Sequence, residues 1–539
     1  MSNLKPFALE CPMPASAVNL DAMIPREDFS SQDFRAGGRP RDGISITDLQ
    51  SGEPFFNQLR KPDFQRETTH WSPNALLDLI RAFLEGDLIP SVILWERGNE
   101  TFVIDGAHRL SALIAWMRDD YGDGQYSSAK FGAGLSKEQR AVADRTRTAI
   151  RKEISSYAEL KGLTGQKGIE PKKAEWVTML GRGSIGIQWV TATTVKAAEA
   201  SFFKINQAAQ PIDPVERMIL QTRTAPNAIA ARCVARGGRG HKYWGAFELS
   251  KQEQIEALGQ EIYELLFTPP EKKPTTTMDV PVAGQGYNVL PFIFYLVSLC
   301  NGLVIPATLT AKKLDSALPD DVSGDATIAF LVNVRKRLCN VTSNHPGSLG
   351  LHPLAYFYSK AGIFVPNAFL ASLNFAKGLD SAKRKNDFTR VRADFEKYIY
   401  QNKIFVSLTV SRLGSGARSL SRIEDLYKEI LAAFLDGRSG PDIYAHLVAQ
   451  DKFKHLKQVD VPSPHFDELP SKRGASQDTK SASFIERGFD SVMRCPICNA
   501  AIHSNSMTFD HTARVREGGD NQSQNLAPVH PYCNSGFKG

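Results

Sequence analysis

The chain has 539 residues, 42% of them hydrophobic, with 65 Lys and Arg against 58 Asp and Glu and a net charge of +7. That length bounds roughly three domains with cores of their own, and the mildly basic balance permits a nucleic-acid partner without requiring one. The longest apolar run, residues 289–300, falls well short of the roughly 20 residues a bilayer crossing takes. The first residues lack the basic start and apolar core of a signal peptide. Seven cysteines include an unpaired remainder, and Cys11, Cys233, Cys300 and Cys339 are scattered without a pairing pattern. The expectation is a cytoplasmic protein without a membrane partner, its lone thiols buried or inert.

Residues 1–43 are rich in Pro, Ser and Asp and read as an N-terminal arm. A first domain is expected over 44–221. After a strand-like element at Ser45 to Leu49, Ser72-Pro73 supplies an N-cap and first-turn pair, and Leu76, Leu77, Ile80 and Leu84 keep helical spacing until Gly86 ends the helix. Pro90 to Trp95 and Thr101 to Ile104 read as strands, with Arg97-Gly98-Asn99 turning between them. The chain then passes at Asp105-Gly106 straight into a helix carrying Leu110, Leu113, Ile114 and Met117. A strand that turns into a helix start presents free amide groups and the positive end of the helix dipole, a phosphate-binding geometry. Arg109 adds a bidentate phosphate donor, Asp105 suits a metal or a ribose hydroxyl, and His108 suits a base or donor. Taken alone the pentapeptide is a weak signal, because a tight turn followed by a surface arginine also accounts for it. Residues 136–173 read as a charged helical insertion, Ile185 to Thr194 as a strand, and Ala197 to Ile205 as a helix leading to Asn206.

Phe64-Gln65-Arg66, Trp71, Ile89-Pro90, the Asp105 to Arg109 turn, Phe202 to Asn206, Pro211-Ile212 and Glu216 together resemble the DGQQR-motif domain of GmrSD-type restriction enzymes, over about residues 44–220. The resemblance implies a ParB and sulfiredoxin-like fold and a pocket for a nucleoside triphosphate. It assigns Asp105, Gly106 and Arg109 to the motif and Arg66 and Asn206 to its flanks. Ala107 and His108 depart from the usual Gln-Gln, and His108 instead resembles the ParB-like form. No Gly-x4-Gly-Lys-Ser/Thr sequence supplies another nucleotide site.

Residues 222–461 read as mainly helical, from apolar spacing at Ile255, Leu258, Ile262, Leu265 and Leu266 and at Ile423, Leu426, Ile430 and Phe434. Two basic stretches, Arg232 to Trp244 and Lys383 to Arg392, suit either DNA contact or a solvated face. His345 and His352 are expected in a packed loop and helix start without metal. Residues 462–483, rich in Pro, Ser and charge, read as a linker that lets the tail move.

The tail, 484–539, carries two pairs with the same spacing, Cys495/Cys498 and His530/Cys533, a tetrahedral Cys3His set suited to structural zinc. Between them lie Asp510-His511, Gly518-Gly519 and Asn525-Leu526, and Asn534 follows Cys533. Phosphodiester hydrolysis needs a base working near neutral pH, for which His511 is the candidate, and a hard cation on oxygen ligands to neutralise charge on the phosphate. The order resembles the HNH (ββα-metal) endonucleases. The resemblance gives Mg2+ or Mn2+ to Asp510 and Asn534, and leaves Asn525 to order the loop and orient His511, with the metal shell open to it as well. His503 has no motif position and is expected at the surface.

The overall expectation is an α+β protein with a ParB-like nucleotide-binding domain, a helical middle and a zinc-stapled HNH tail. Its function would be that of a nucleotide-regulated or modification-dependent endonuclease of bacterial anti-phage defence. Phage or modified DNA would be its partner, and a homo-oligomer is compatible with that. The alternative is a ParB-like DNA or nucleotide sensor whose zinc module docks and does not cut. A nuclease directed at RNA lacks any RRM or KH signature to support it.

Overall fold

A computed structural model describes residues 18–27, 41–62, 71–131, 137–192, 194–209, 214–239, 241–269, 275, 277–284, 289–303, 318–414, 416–458 and 475–537. The described residues mix helix and strand and are mainly helical. None of their helices is long and apolar enough to cross a membrane. The chain divides into two compact units, residues 1–223 with 239–243, and 224–238 with 244–539.

The first unit is built on a six-stranded mixed sheet. Its strands are β1 (Arg26–Glu27), β2 (Gly43–Ser45), β3 (Leu59–Pro62), β4 (Val92–Arg97), β5 (Glu100–Asp105) and β6 (Ser184–Trp189), in the spatial order β1-β3-β5-β4-β6-β2. The predicted hairpin is β4 and β5, antiparallel, with Trp95 opposite Phe102. The predicted helix spans Pro73–Glu85: Ser72 Oγ accepts from Ala75 N at 3.2 Å, and Gly86, with φ 74°, ends it in the left-handed region. Its face of Leu76, Leu77, Ile80 and Leu84 is buried with Leu110, Leu113 and Trp116 of the helix Ala107–Arg118. At about 1.5–3 kcal/mol for each large apolar side chain, such burial is what holds the helices on the sheet. Ser45 to Leu49 differs from the expectation, being the end of β2 followed by a 3-10 turn at Thr47–Leu49.

Part of the stretch read as an arm belongs to this core. Val18, Leu20, Met23 and Ile24 are buried in it, and β1 runs parallel to β3 with Arg26 opposite Lys61. The Asp21 carboxylate gathers three cations, Arg26 at 2.7 Å, Lys61 at 2.8 Å and Lys130 at 2.9 Å. Those cations hold its carboxyl well below the usual range although burial alone would raise it. The apolar quartet is masked in the sequence by its Pro- and Ser-rich surroundings.

The second unit is helical up to its C-terminal part. The helices Leu249–Phe267 and Ala417–Leu435 bury Ile255, Leu258, Ile262 and Leu266, and Ile423, Leu426 and Ile430, as their spacing predicts. Aromatic rings fill the middle, with Phe375 stacked on Phe395 at 5.7 Å. The stretch Arg232 to Trp244 departs from its expectation as a solvated or DNA-facing surface at its ends, where Arg232, Cys233, Val234 and Trp244 are buried, the first three in the helix Pro226–Ala235, while Lys242 is exposed. Cys300 is buried too, which pushes its thiol up to about 12. Of the stretch read as linker, residues up to 474 lie outside the described ones. The helix Gln477–Gly488 starts within it, capped by Ser476 and fastened by Thr275 N to Ser481 Oγ at 3.2 Å and Tyr400 OH to Ile485 O at 3.2 Å. Beyond it a two-stranded antiparallel sheet pairs β7 (Thr508–His511) with β8 (Leu526–Val529).

Candidate metal and hydrolytic centre

Among the described residues, the hydrophobic cluster at the end of the chain has six buried members, Cys495, Cys498, Ala500, Ile502, Val529 and Cys533. A core this small cannot offset the conformational entropy of some fifty ordered residues, and the four predicted ligands are placed where a metal would add a staple. The knuckle closes through Cys495 N to Ala500 O at 2.9 Å and Asn499 N to Cys495 O at 2.8 Å. The Sγ atoms of Cys495, Cys498 and Cys533 and one ring nitrogen of His530 lie within 4.8 Å of one another, all buried. A tetrahedral zinc at ~2.3 Å from sulfur would set edges of ~3.8 Å, a size within reach of donors that lie within 4.8 Å of one another. His530 Nδ1 faces the sulfurs, 3.3 Å from Cys498 Sγ, while Nε2 donates to Ala501 O at 3.0 Å, which fixes the tautomer that leaves Nδ1 free to ligate. Hydrogen bonds from Cys498 and Cys533 hold the Cys495 thiol well below its usual range. The donor set fits a metal ion.

The strand β7 carries Asp510 and His511, opposite Ala527 and Leu526 of β8. Asn534 sits in the helical turn Cys533–Phe537, and its Nδ2 donates to Phe509 O at 3.3 Å, bringing its amide to the strand that carries Asp510. Both side chains are half-buried, as is His511. Asn525 is the loop organiser: its Oδ1 accepts from Ala513 N at 2.7 Å, and its Nδ2 donates to Ala513 O at 2.9 Å and Asp520 O at 2.7 Å. Gly519 is required beside it, since a Cβ there would lie 2.0 Å from Ala513 O. No described hydrogen bond joins Asn525 to His511. The partner of His511 is Asn521, whose Oδ1 lies 2.8 Å from His511 Nε2. Asn521 was not legible in the sequence, where it is one polar residue among several in a loop.

His503 corrects its expectation, being 2% exposed. Its ring meets His352 edge-on at 5.4 Å and lies 3.3 Å from Asp279. It belongs to a seam that seats the tail on the helical part of its unit. Along this seam Ser343 N donates to Ser506 Oγ at 2.9 Å, Tyr532 N to Ser348 O at 3.0 Å, and Ser535 Oγ to Pro346 O at 2.7 Å. Tyr532 OH donates to Asn386 Oδ1 at 2.7 Å, and the Lys385 ammonium stands 5.4 Å from the Tyr532 ring. The basic stretch beginning at Lys383 therefore adjoins the turn that carries Asn534. His352 is a buried helix cap, its Nδ1 accepting from Leu354 N at 3.3 Å, in the packed helix start that was expected.

In the first unit the Asp105 to Arg109 turn has the predicted form. Gly106, with φ 95°, joins β5 to the helix Ala107–Arg118, and a Cβ there would lie 2.6 Å from Val92 Cγ1, so glycine is required. Arg109 Nη2 donates to Asp105 Oδ2 at 2.7 Å and to Ser91 O at 3.2 Å. His108 stacks on Trp71 with ring centroids 5.9 Å apart. Asp105, Gly106, His108 and Arg109 are thus together. Arg66 lies outside the described residues, and of Asn206 only the backbone, in the helix Val195–Ala209, is described.

Comparison with known proteins gives two matches. Residues 48–213 match the family described as GmrSD restriction endonuclease, N-terminal domain, and residues 495–536 match the family described as HNH endonuclease. This order of domains is GmrSD-like. The two matches support a DNA endonuclease of restriction, with the metal dependence of HNH domains. No curated protein and no solved structure matches the chain.

Proposed function

We propose that the chain is a nucleotide-regulated or modification-dependent DNA endonuclease of bacterial anti-phage defence, acting in the cytoplasm through a one-metal HNH site. The observation that carries this reading is the hairpin itself: Asp510 and His511 on β7, Asn534 tied to the same strand, and the whole pinned by the Cys3His cage. The cage would hold structural zinc through Cys495, Cys498, His530 and Cys533. Asp510 and Asn534 offer hard oxygen donors for Mg2+ or Mn2+, the amide nitrogen of Asn534 being engaged with Phe509. That cation, when bound, would neutralise charge on the phosphate and on the departing oxygen. His511 takes a proton from water, the resulting hydroxide bonds to phosphorus, one phosphorus–oxygen ester bond breaks, and the leaving oxygen gains a proton.

The first unit would be a ParB-like nucleotide module, with Asp105, Gly106, His108 and Arg109 around a phosphate at the start of the helix Ala107–Arg118, and with Arg66 and Asn206 as further contacts. Hydrolysis of the nucleotide there is part of the same proposal. Lys383, Arg384 and Arg390, exposed beside the Tyr532 seam, would contact the DNA backbone.

The test is plasmid cleavage with Mg2+, with and without each nucleoside triphosphate, on unmodified and phage-modified DNA. Wild type should cut, His511→Ala should not, and Arg109→Ala should change only the nucleotide dependence. A sensor with a docking module is favoured by one observation, the hydrogen-bonded seam under the tail. That reading takes over if folded, zinc-loaded wild type cuts no DNA under any of these conditions.

A further inference from the structure

We infer that Asn521 is the residue that positions the base, whereas Asn525, bonded to the backbone of Thr512 and Ala513, places the loop and the end of the strand. The inference rests on the endonuclease reading above and adds to it a residue that no motif supplies. The contact is direct: Asn521 Oδ1 stands 2.8 Å from His511 Nε2. An amide oxygen can only accept, so the proton of a neutral imidazole in this bond sits on Nε2 and the lone pair on Nδ1. Nδ1 is then the nitrogen that takes a proton from water, and rotation of the ring is resisted by the same bond.

Asn521 is exposed, so packing gives no reason for an asparagine there. Its position comes from the loop. Asn525 clamps Ala513 and Asp520, Gly519 N donates to Arg514 O at 3.0 Å, and Gln522 N donates to Asp520 Oδ1 at 3.1 Å. These bonds bracket Asn521 on both sides and leave its side chain aimed at the strand. Asn525 thus sets where the loop stands, and Asn521 sets which imidazole nitrogen is free.

The experiment uses full-length, zinc-loaded protein and measures the single-turnover cleavage rate at saturating plasmid DNA, together with DNA affinity. Four proteins are compared: wild type, His511→Ala, Asn521→Leu and Asn521→Asp. Asn521→Leu keeps the size and removes the acceptor, and its rate should fall at least tenfold with affinity unchanged. Asn521→Asp keeps an acceptor and should stay within about threefold of wild type. The inference is overturned if Asn521→Leu cuts at the wild-type rate, if Asn521→Asp falls as far as Asn521→Leu, or if affinity falls in step with rate. Failure of the endonuclease reading shows separately, as cleavage retained by His511→Ala or absent from wild type.

Discussion

Asn525 makes three side-chain hydrogen bonds within its loop. At about 1 kcal/mol each, their loss in Asn525→Ala should free the loop between the two strands. Cleavage should then drop at least tenfold while metal content, measured by elemental analysis, stays at the wild-type level; an unchanged rate would remove Asn525 from the organising role. Lys403 offers a test of a different kind. It is buried, donates to Ala355 O at 3.2 Å and to Tyr358 O, and burial pulls its amine down from 10.5 to about 7. Between those values the unfolded chain binds a proton that the native state does not, so stability rises with pH across the window and is lost as pH falls from 10.5 toward 7. The rise in Tm from pH 7 to pH 9 should therefore be smaller in Lys403→Met than in wild type. Equal slopes would mean that Lys403 is charged in the fold.

At the scale of elements, the boundaries read from caps and glycines agree with the structure where the signal is local. Ser72-Pro73 and Gly86 bound one helix, and Asp105-Gly106 turns into another. Pairing was less legible, because which strand adjoins which depends on residues distant in sequence. The stretch 18–27 shows this, its β1 joining a strand more than thirty residues away. The segment from Lys383 to Arg392 was readable as basic, but its place beside the Asn534 turn was not, nor was the burial of Arg392 against Glu396. If it grips the DNA backbone, Lys383→Glu combined with Arg384→Glu should weaken DNA binding. It should also flatten the salt dependence of log K by about 0.9 for each phosphate that is no longer neutralised. An unchanged salt slope, measured by titration at several ionic strengths, would return the segment to a solvated face.

For the whole molecule, metal removal is the sharpest perturbation. A structural zinc contributes on the order of 10–16 kcal/mol in small metal-stapled folds, far more than a six-residue core supplies. Chelation, or Cys498→Ser, should abolish cleavage and lower the Tm of the chain, with the zinc content measured by elemental analysis falling by about one ion per chain. A chelated protein that still cuts would separate the cage from the hairpin. By itself the sequence determined the four-donor cage and the Asp510, His511, Asn525 and Asn534 set, because metal spacing and hairpin turns are short-range and leave their residues at fixed intervals. It likewise determined the strand-to-helix turn at Gly106. Only the tertiary structure decided that His503 is buried against His352 and Asp279, that Arg232 lies inside the helical unit, and that Asn521 meets His511. Each of these depends on where a loop or helix packs, and neither residue type nor spacing carries that information.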